Sequence, residues 1–243
     1  MRRRWLEDAV KASKLGATPS TRFPRDLAEE VEIHLPVFLV KIPGLTTHQI
    51  RDWLAQRDIQ VDAPQESRAI HGCMVAEKEH GFIFWDSRDP VDVQRFTLAH
   101  EVAHFVLDHL LPRMKAVGAL GKRICEVLDG DRPPDIEEGL SAMFKRIPLA
   151  QVKLMDRDSS GAICVGKVDA SEHRADRLAF ELLAPADRVL PILRGVPRKE
   201  GVAEMASRFG LHPEEAESYA QVLLGPKHRP FSIQKYFSEE EEE

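Results

Sequence analysis

Residues 95–109 read RFTLAHEVAHFVLDH. Phe96, Leu98, Val102, Ala103, Phe105, Val106 and Leu107 make this stretch apolar on several faces of a helix, and a helix of that kind lies inside a core. It nevertheless carries His100, Glu101 and His104 inward with it. Buried polar groups without partners cost free energy, so the rest of the chain must bring partners to this helix. On a helix, residues i and i+4 share a face, and His100 and His104 can turn both imidazoles toward one ion. Glu101 projects about 100° around the axis. That position is off the ligand face but within reach of a water at the ion, which is the physical logic of H-E-x-x-H: two metal ligands and a general base. The competing reading, two core histidines satisfied by ordinary hydrogen bonds, leaves nothing to neutralise Glu101.

A catalytic zinc takes three protein ligands and keeps one position open. The extension H-E-x-x-H-x-x-G-x-x-H is excluded, because Leu107 and Leu110 stand where it needs glycine and histidine. Asp108 lies one turn beyond His104, but three ligands stacked along one straight helix converge poorly on one ion. His109 lies off that face. The better candidate is the stretch EHRAD, 172–176. Glu172 can complete the ligand set. Asp176, one turn further on, can accept a hydrogen bond from a ligand imidazole and fix its tautomer. Ala175 and Ala179 beside them let two helices approach closely. Two alternatives stay open: Glu172 as a cap on a helix begun near Asp169, and His173 as the ligand.

The remaining chain frames this site. Its 243 residues suffice for one large domain or two small ones, and 43% hydrophobic with 30% charged residues is a globular composition. A net charge of −6 gives no general attraction to nucleic acid or anionic membranes. No apolar run approaches the roughly 18 residues of a membrane span, and the basic start lacks the apolar core of a signal peptide, so the expected location is cytoplasmic. Cys73, Cys125 and Cys164 are widely spaced without C-x-x-C and read as reduced structural thiols.

The pattern predicts a basic helix over 1–15, a helix over 26–35, a strand in 35–45 ending at Pro43-Gly44, and a Thr-capped helix over 46–59. It predicts a short strand at 59–63. A hairpin of 72–76 and 82–85 follows, with a charged turn ending in Gly81. Asp89-Pro90 should cap a helix that Pro112 stops. Residues 129–135 read as a loop and 152–168 as a second hairpin. A helix over 171–185 and two helices within 201–225 complete the chain. The terminal EEEEE, 239–243, reads as a solvated tail.

RFTLAHEVAHFVLDH followed by EHRADRLAFELLAP resembles the ImmA/IrrE metallopeptidases, which pair R-F-T-x-A-H-E-x-x-H with E-x-x-A-[ND]-x-x-A-x-x-L-L-x-P. VAEMASRFGLHPEEAESYAQVL is similar to that family's C-terminal helical segment. The resemblance implies an α+β, mainly helical, gluzincin-like core with a small sheet and a C-terminal helix-turn-helix-like module. It implies His100, His104 and Glu172 as ligands and Glu101 as the base. The ion would be zinc, with manganese or iron able to substitute. It implies a protein substrate as partner, typically a transcriptional repressor cut in a stress or mobile-element response.

The expected organisation is an N-terminal segment (1–45), a peptidase core (46–112 and 169–190), an insertion sized for a lid or exosite (113–168), a C-terminal module (195–230) and an acidic tail (231–243). The insertion makes the gap between the two motifs longer than the family leads one to expect. The first 45 residues also lack the helix-turn-helix that some relatives carry. Within the C-terminal module Glu214, Glu215 and Glu217 would meet phosphates with the wrong charge, which argues against nucleic-acid binding despite Arg188, Arg194, Arg198, Lys199 and Arg208. The alternative function is a metal-binding regulator without turnover. A second oxyanion donor is not singled out by the sequence; His71, His80, His173 and Tyr219 are all conceivable.

Overall fold

The computed structural model describes residues 4–15, 22–60, 66–145, 147, 149 and 165–225. Its centre is the strand β3, His80–Asp86, whose sequence HGFIFWD holds five consecutive buried residues. Such an unbroken apolar run belongs to a strand covered on both faces. β3 is the middle of a three-stranded mixed sheet: β1 (Val37–Ile42) runs parallel to it, and β2 (Gly72–Glu77) pairs antiparallel on its other side. On one face Phe82 and Phe84 pack with Leu45, Ile50 and Leu54 around the helix α3 (Thr47–Ala55). That helix opens with a reciprocal cap between Thr46 and Gln49. On the other face Ile83 and Trp85 join the main core.

The main core is helical. α4 (Val91–His104) packs on the sheet and against α8 (Val165–Leu183). Ala99, Ala103, Ala175 and Ala179 on these two helices are fully buried, and side chains this small let helix axes come close. The N-terminal helices α1 (Arg4–Ser13) and α2 (Leu27–His34) add Leu6, Ala9, Leu27 and Val31 to the same core. So do the C-terminal helices α9 (Ala186–Gly195), α10 (Arg198–Phe209) and α11 (Pro213–Leu224), through Val189, Met205, Phe209, Tyr219 and Ala220. The whole is α+β and mostly helical, as expected. No helix among the described residues is long and apolar enough to cross a membrane.

Several expectations are corrected. The helix expected to stop at Pro112 does not stop. α4 passes into a π-helical turn, Phe105–Leu110, and then into α5 (Leu111–Leu120), with Pro112 in the first turn of α5. There its missing N–H is harmless, because the register has already slipped: Leu111 N–H bonds to Val106 O, five residues back. Asp89 is not the cap of α4; Pro90 is, and the Asp89 carboxylate pairs with His71 instead. Gly81 lies in β3 rather than in the turn, which is formed at Lys78-Glu79 with Lys78 at φ +54°. A Cβ on Gly81 would sit 2.6 Å from the Phe105 ring, so packing fixes the glycine there.

Residues 59 and 60 are not strand, and the rest of that expected strand lies outside the described residues. Residues 165–168, expected in a hairpin, open α8, while the hairpin's turn lies outside the described residues. The tail at 231–243 lies outside them too. α9 was not expected at all. The weakly patterned region after Pro112 holds α5, then α6 (Ile124–Leu128) and α7 (Ile136–Lys145), around a small core of Ala116, Ile124 and Val127, with the expected loop at 129–135 joining the last two helices. Arg113 clamps this unit through two hydrogen bonds to Asp129, at 2.7 and 2.9 Å.

Candidate metal centre

α4 presents His100 and His104 one turn apart, and α8 presents Glu172 opposite them. His100 Nε2 and His104 Nε2 are 3.0 Å apart. Glu172 Oε2 lies 3.2 Å from the first, and its Oε1 lies 3.5 Å from the second. The three ligand atoms thus form a compact triangle, within 4.8 Å by the widest measure. Tetrahedral zinc with bonds of about 2.0–2.1 Å sets its ligand atoms roughly 3.3 Å apart. The donor set, two imidazoles and a carboxylate, also suits such an ion. These residues therefore fit a divalent metal in both chemistry and spacing.

The outer nitrogens are fixed as well. His100 Nδ1 lies 2.9 Å from Asp176 Oδ1, and His104 Nδ1 lies 2.8 Å from Asp108 Oδ2. Ser171 Oγ donates to the same Asp108 oxygen at 3.2 Å. Each imidazole thus donates through Nδ1 to a carboxylate and leaves Nε2 toward the triangle, the arrangement that orients ligand histidines in metal sites. Asp176 and Glu172 stand where their four-residue spacing puts them. Asp108, weighed in the sequence as an alternative ligand, instead supports His104 from behind. The sequence missed that role, although the signal was present: Asp108 is four residues beyond His104, as Asp176 is four beyond Glu172.

Glu172 lies well inside α8 (Val165–Leu183), so the reading of Glu172 as a cap near Asp169 falls. His173 is exposed and outside the triangle. His109 also lies outside it, against the Phe105 ring at 5.4 Å, and burial holds its pKa below the ordinary value.

Glu101 lies beside the triangle. The site can hold it there because residue 72 is glycine: a Cβ on Gly72 would come within 2.4 Å of Thr97 Cγ2 and 3.2 Å of Glu101 Oε1. The Met74 backbone N–H, on the edge strand β2, donates to the Glu101 carboxylate. Burial raises the Glu101 pKa; the adjacent His100 and His104 pull it back only in part. Burial works against the charged form of His100 too, but the Asp176 hydrogen bond and the Glu101 charge outweigh it, so its pKa is raised. His104 follows the same pattern through Asp108. Cys73 on β2 is pushed up to about 12, first by burial and then by the Glu101 charge, so it offers no thiolate to a metal at neutral pH.

A cleft of about 730 Å³ opens onto His100, Glu101 and Asp176. The segment Arg68–Gly72 forms one wall, and His212, Glu214 and Glu215 at the start of α11 form another. Of the four candidate oxyanion donors, only His71 lines this cleft. Tyr219 is fully buried, stacked on Phe180 at 4.6 Å, and His80 lies against Phe38 at 5.7 Å.

Comparison with known proteins adds one match. Neither the curated proteins nor the solved structures yield one. Residues 58–126, which hold the hairpin, His100, Glu101 and His104 but not Glu172, match the family model described as the IrrE N-terminal-like domain, a peptidase family. Over that stretch the chain is similar to the IrrE N-terminal-like peptidase domain, in keeping with the resemblance of its two motifs to the ImmA/IrrE family.

Proposed function

We propose that this protein is a zinc-dependent endopeptidase that cuts a specific protein substrate, a transcriptional repressor in a stress or mobile-element response. The observation that carries the peptidase reading is the triangle of His100, His104 and Glu172 with a separately held Glu101 beside it. A structural metal site needs no such carboxylate. The repressor assignment rests on the family likeness alone.

A zinc ion on the three ligands would supply Lewis acidity that makes a water nucleophilic near pH 7 and polarises a peptide carbonyl. The chain's own residues do the remaining work. Asp176 and Asp108 hold the two imidazoles with Nε2 inward. Glu101 takes a proton at its carboxylate as water attacks, and passes it to the leaving amine. β2 is an edge strand of the sheet, and its outer side offers backbone groups to an extended substrate. Manganese or iron can occupy the same donors.

The test is co-expression with candidate repressors encoded nearby, comparing wild type with Glu101→Gln. Cleavage by wild type alone, abolished by chelator, is expected. Metal bound by both proteins and cleavage by neither would assign the chain to metal-binding regulators without turnover.

A further inference from the structure

A tetrahedral intermediate carries a new negative charge on the former carbonyl oxygen, and a donor fixed in advance stabilises it. One imidazole at the cleft has a fixed carboxylate partner. His71 lines the same cleft as His100 and Glu101. The next residue, Gly72, runs so close to Glu101 that a Cβ there would stand 3.2 Å from its Oε1. His71 Nδ1 lies 2.8 Å from Asp89 Oδ2. Asp89 is mostly shielded while the His71 side chain is 75% exposed, so the carboxylate anchors Nδ1 of an otherwise open ring. Asp89 sits just before α4, and Pro90 caps that helix in its place. The Asp89 side chain is thereby released for His71.

We propose that His71 is a catalytic residue: in its charged form it donates Nε2–H to the oxyanion of the scissile carbonyl, and Asp89 is its positioning residue. This rests on the peptidase reading above. The proton stays on His71 throughout, and the proton delivered to the leaving amine is the one Glu101 took. Nδ1 bonded to a carboxylate leaves Nε2 as the nitrogen available to substrate, the logic by which a buried aspartate orients a catalytic histidine. His80, His173 and Tyr219 do not line the cleft.

The test uses the full-length zinc-loaded protein as wild type, His71→Ala, His71→Gln, Asp89→Ala and Arg68→Ala. Each is assayed on a quenched-fluorescent peptide library of random sequence. A phosphinic pseudopeptide of the best-cleaved sequence, which mimics the tetrahedral oxyanion, is then titrated by calorimetry. His71→Ala should lower kcat by about 10²–10³-fold with KM little changed. Its zinc content should stay at the wild-type level, and its affinity for the pseudopeptide should fall in parallel with kcat. His71→Gln, which keeps a donor at the same reach, should recover part of both losses. Asp89→Ala should show a smaller loss of the same kind. Wild-type kcat and pseudopeptide affinity in His71→Ala overturn the proposal while leaving the peptidase reading intact. Loss of zinc in that variant overturns it in favour of a structural role, and a comparable loss in Arg68→Ala alone assigns the oxyanion to the guanidinium. A zinc-loaded wild type that cleaves neither the library nor any co-expressed repressor fails at the earlier step and takes the peptidase reading, and this proposal, with it.

Discussion

At the residue scale the site is a set of protonation states under tension. In the metal-free fold His100, His104 and Glu101 all bind protons more tightly than they do in the unfolded chain, where the ordinary values are 6.5 for histidine and 4.5 for glutamate. Their contribution favours folding most below those ordinary values and is lost as pH rises through the higher folded ones. His109, lowered by burial, runs the other way, so two histidines and Glu101 oppose one. Thermal melts of metal-free protein should therefore show falling Tm from pH 6.5 upward. Zinc-loaded protein should gain relative to it over the same range, as protons stop competing for the ligands. A metal-free Tm that climbs between pH 6.5 and 8 contradicts this. Asp108→Asn should weaken zinc binding by about 10–100-fold in equilibrium dialysis, as loss of an outer carboxylate does; unchanged affinity would make the His104 contact incidental. The grouping of the candidate ligands was legible in the sequence in part, because helical spacing places His100 beside His104 and Glu172 beside Asp176; that the two pairs meet is seen only in the fold. Gly72 was not legible, because its role depends on what a Cβ would strike across the space between β2 and α4.

At the scale of elements the candidate metal centre is a helix-to-helix contact held by small residues. Ala175 lies between Glu172 and Asp176 in sequence and is fully buried in the core shared with α4. Ala175→Leu should overpack that contact, cost about 1–3 kcal/mol in urea denaturation, and weaken zinc binding by displacing Glu172. A destabilised variant with intact zinc affinity would show that the ligand helix tolerates movement. The π-turn at Phe105–Leu110 was not legible. A one-residue slip of backbone register leaves no mark on hydrophobic pattern, and Pro112 pointed to a stop rather than to a new first turn. α5, α6 and α7 escaped for a related reason: they bury only a small satellite core, so their apolar periodicity is weak.

At the scale of the whole molecule the C-terminal helices belong to the same core as the metal helix. Arg95, in the motif just before His100, donates to the Gly210 carbonyl at 2.7 Å, and a Cβ on Gly210 would strike that guanidinium at 2.4 Å. Phe209 and Tyr219 are fully buried, and Phe180 of α8 stacks on Tyr219. Removal of residues 198–243 should therefore unfold or aggregate the remainder rather than release an independent peptidase, as judged by circular dichroism and gel filtration. A soluble, cooperatively melting truncation would contradict this. The sequence showed two helices here but not their integration, since shared burial between distant segments has no local signature. One ion joining α4 and α8 is the claim on which the rest depends. An anomalous difference map from crystals of the zinc-loaded protein tests it directly. The expected result is a single strong peak about 2.0–2.1 Å from His100 Nε2, His104 Nε2 and a Glu172 oxygen together. A peak that Glu172 does not reach, or none between the two helices, would contradict it.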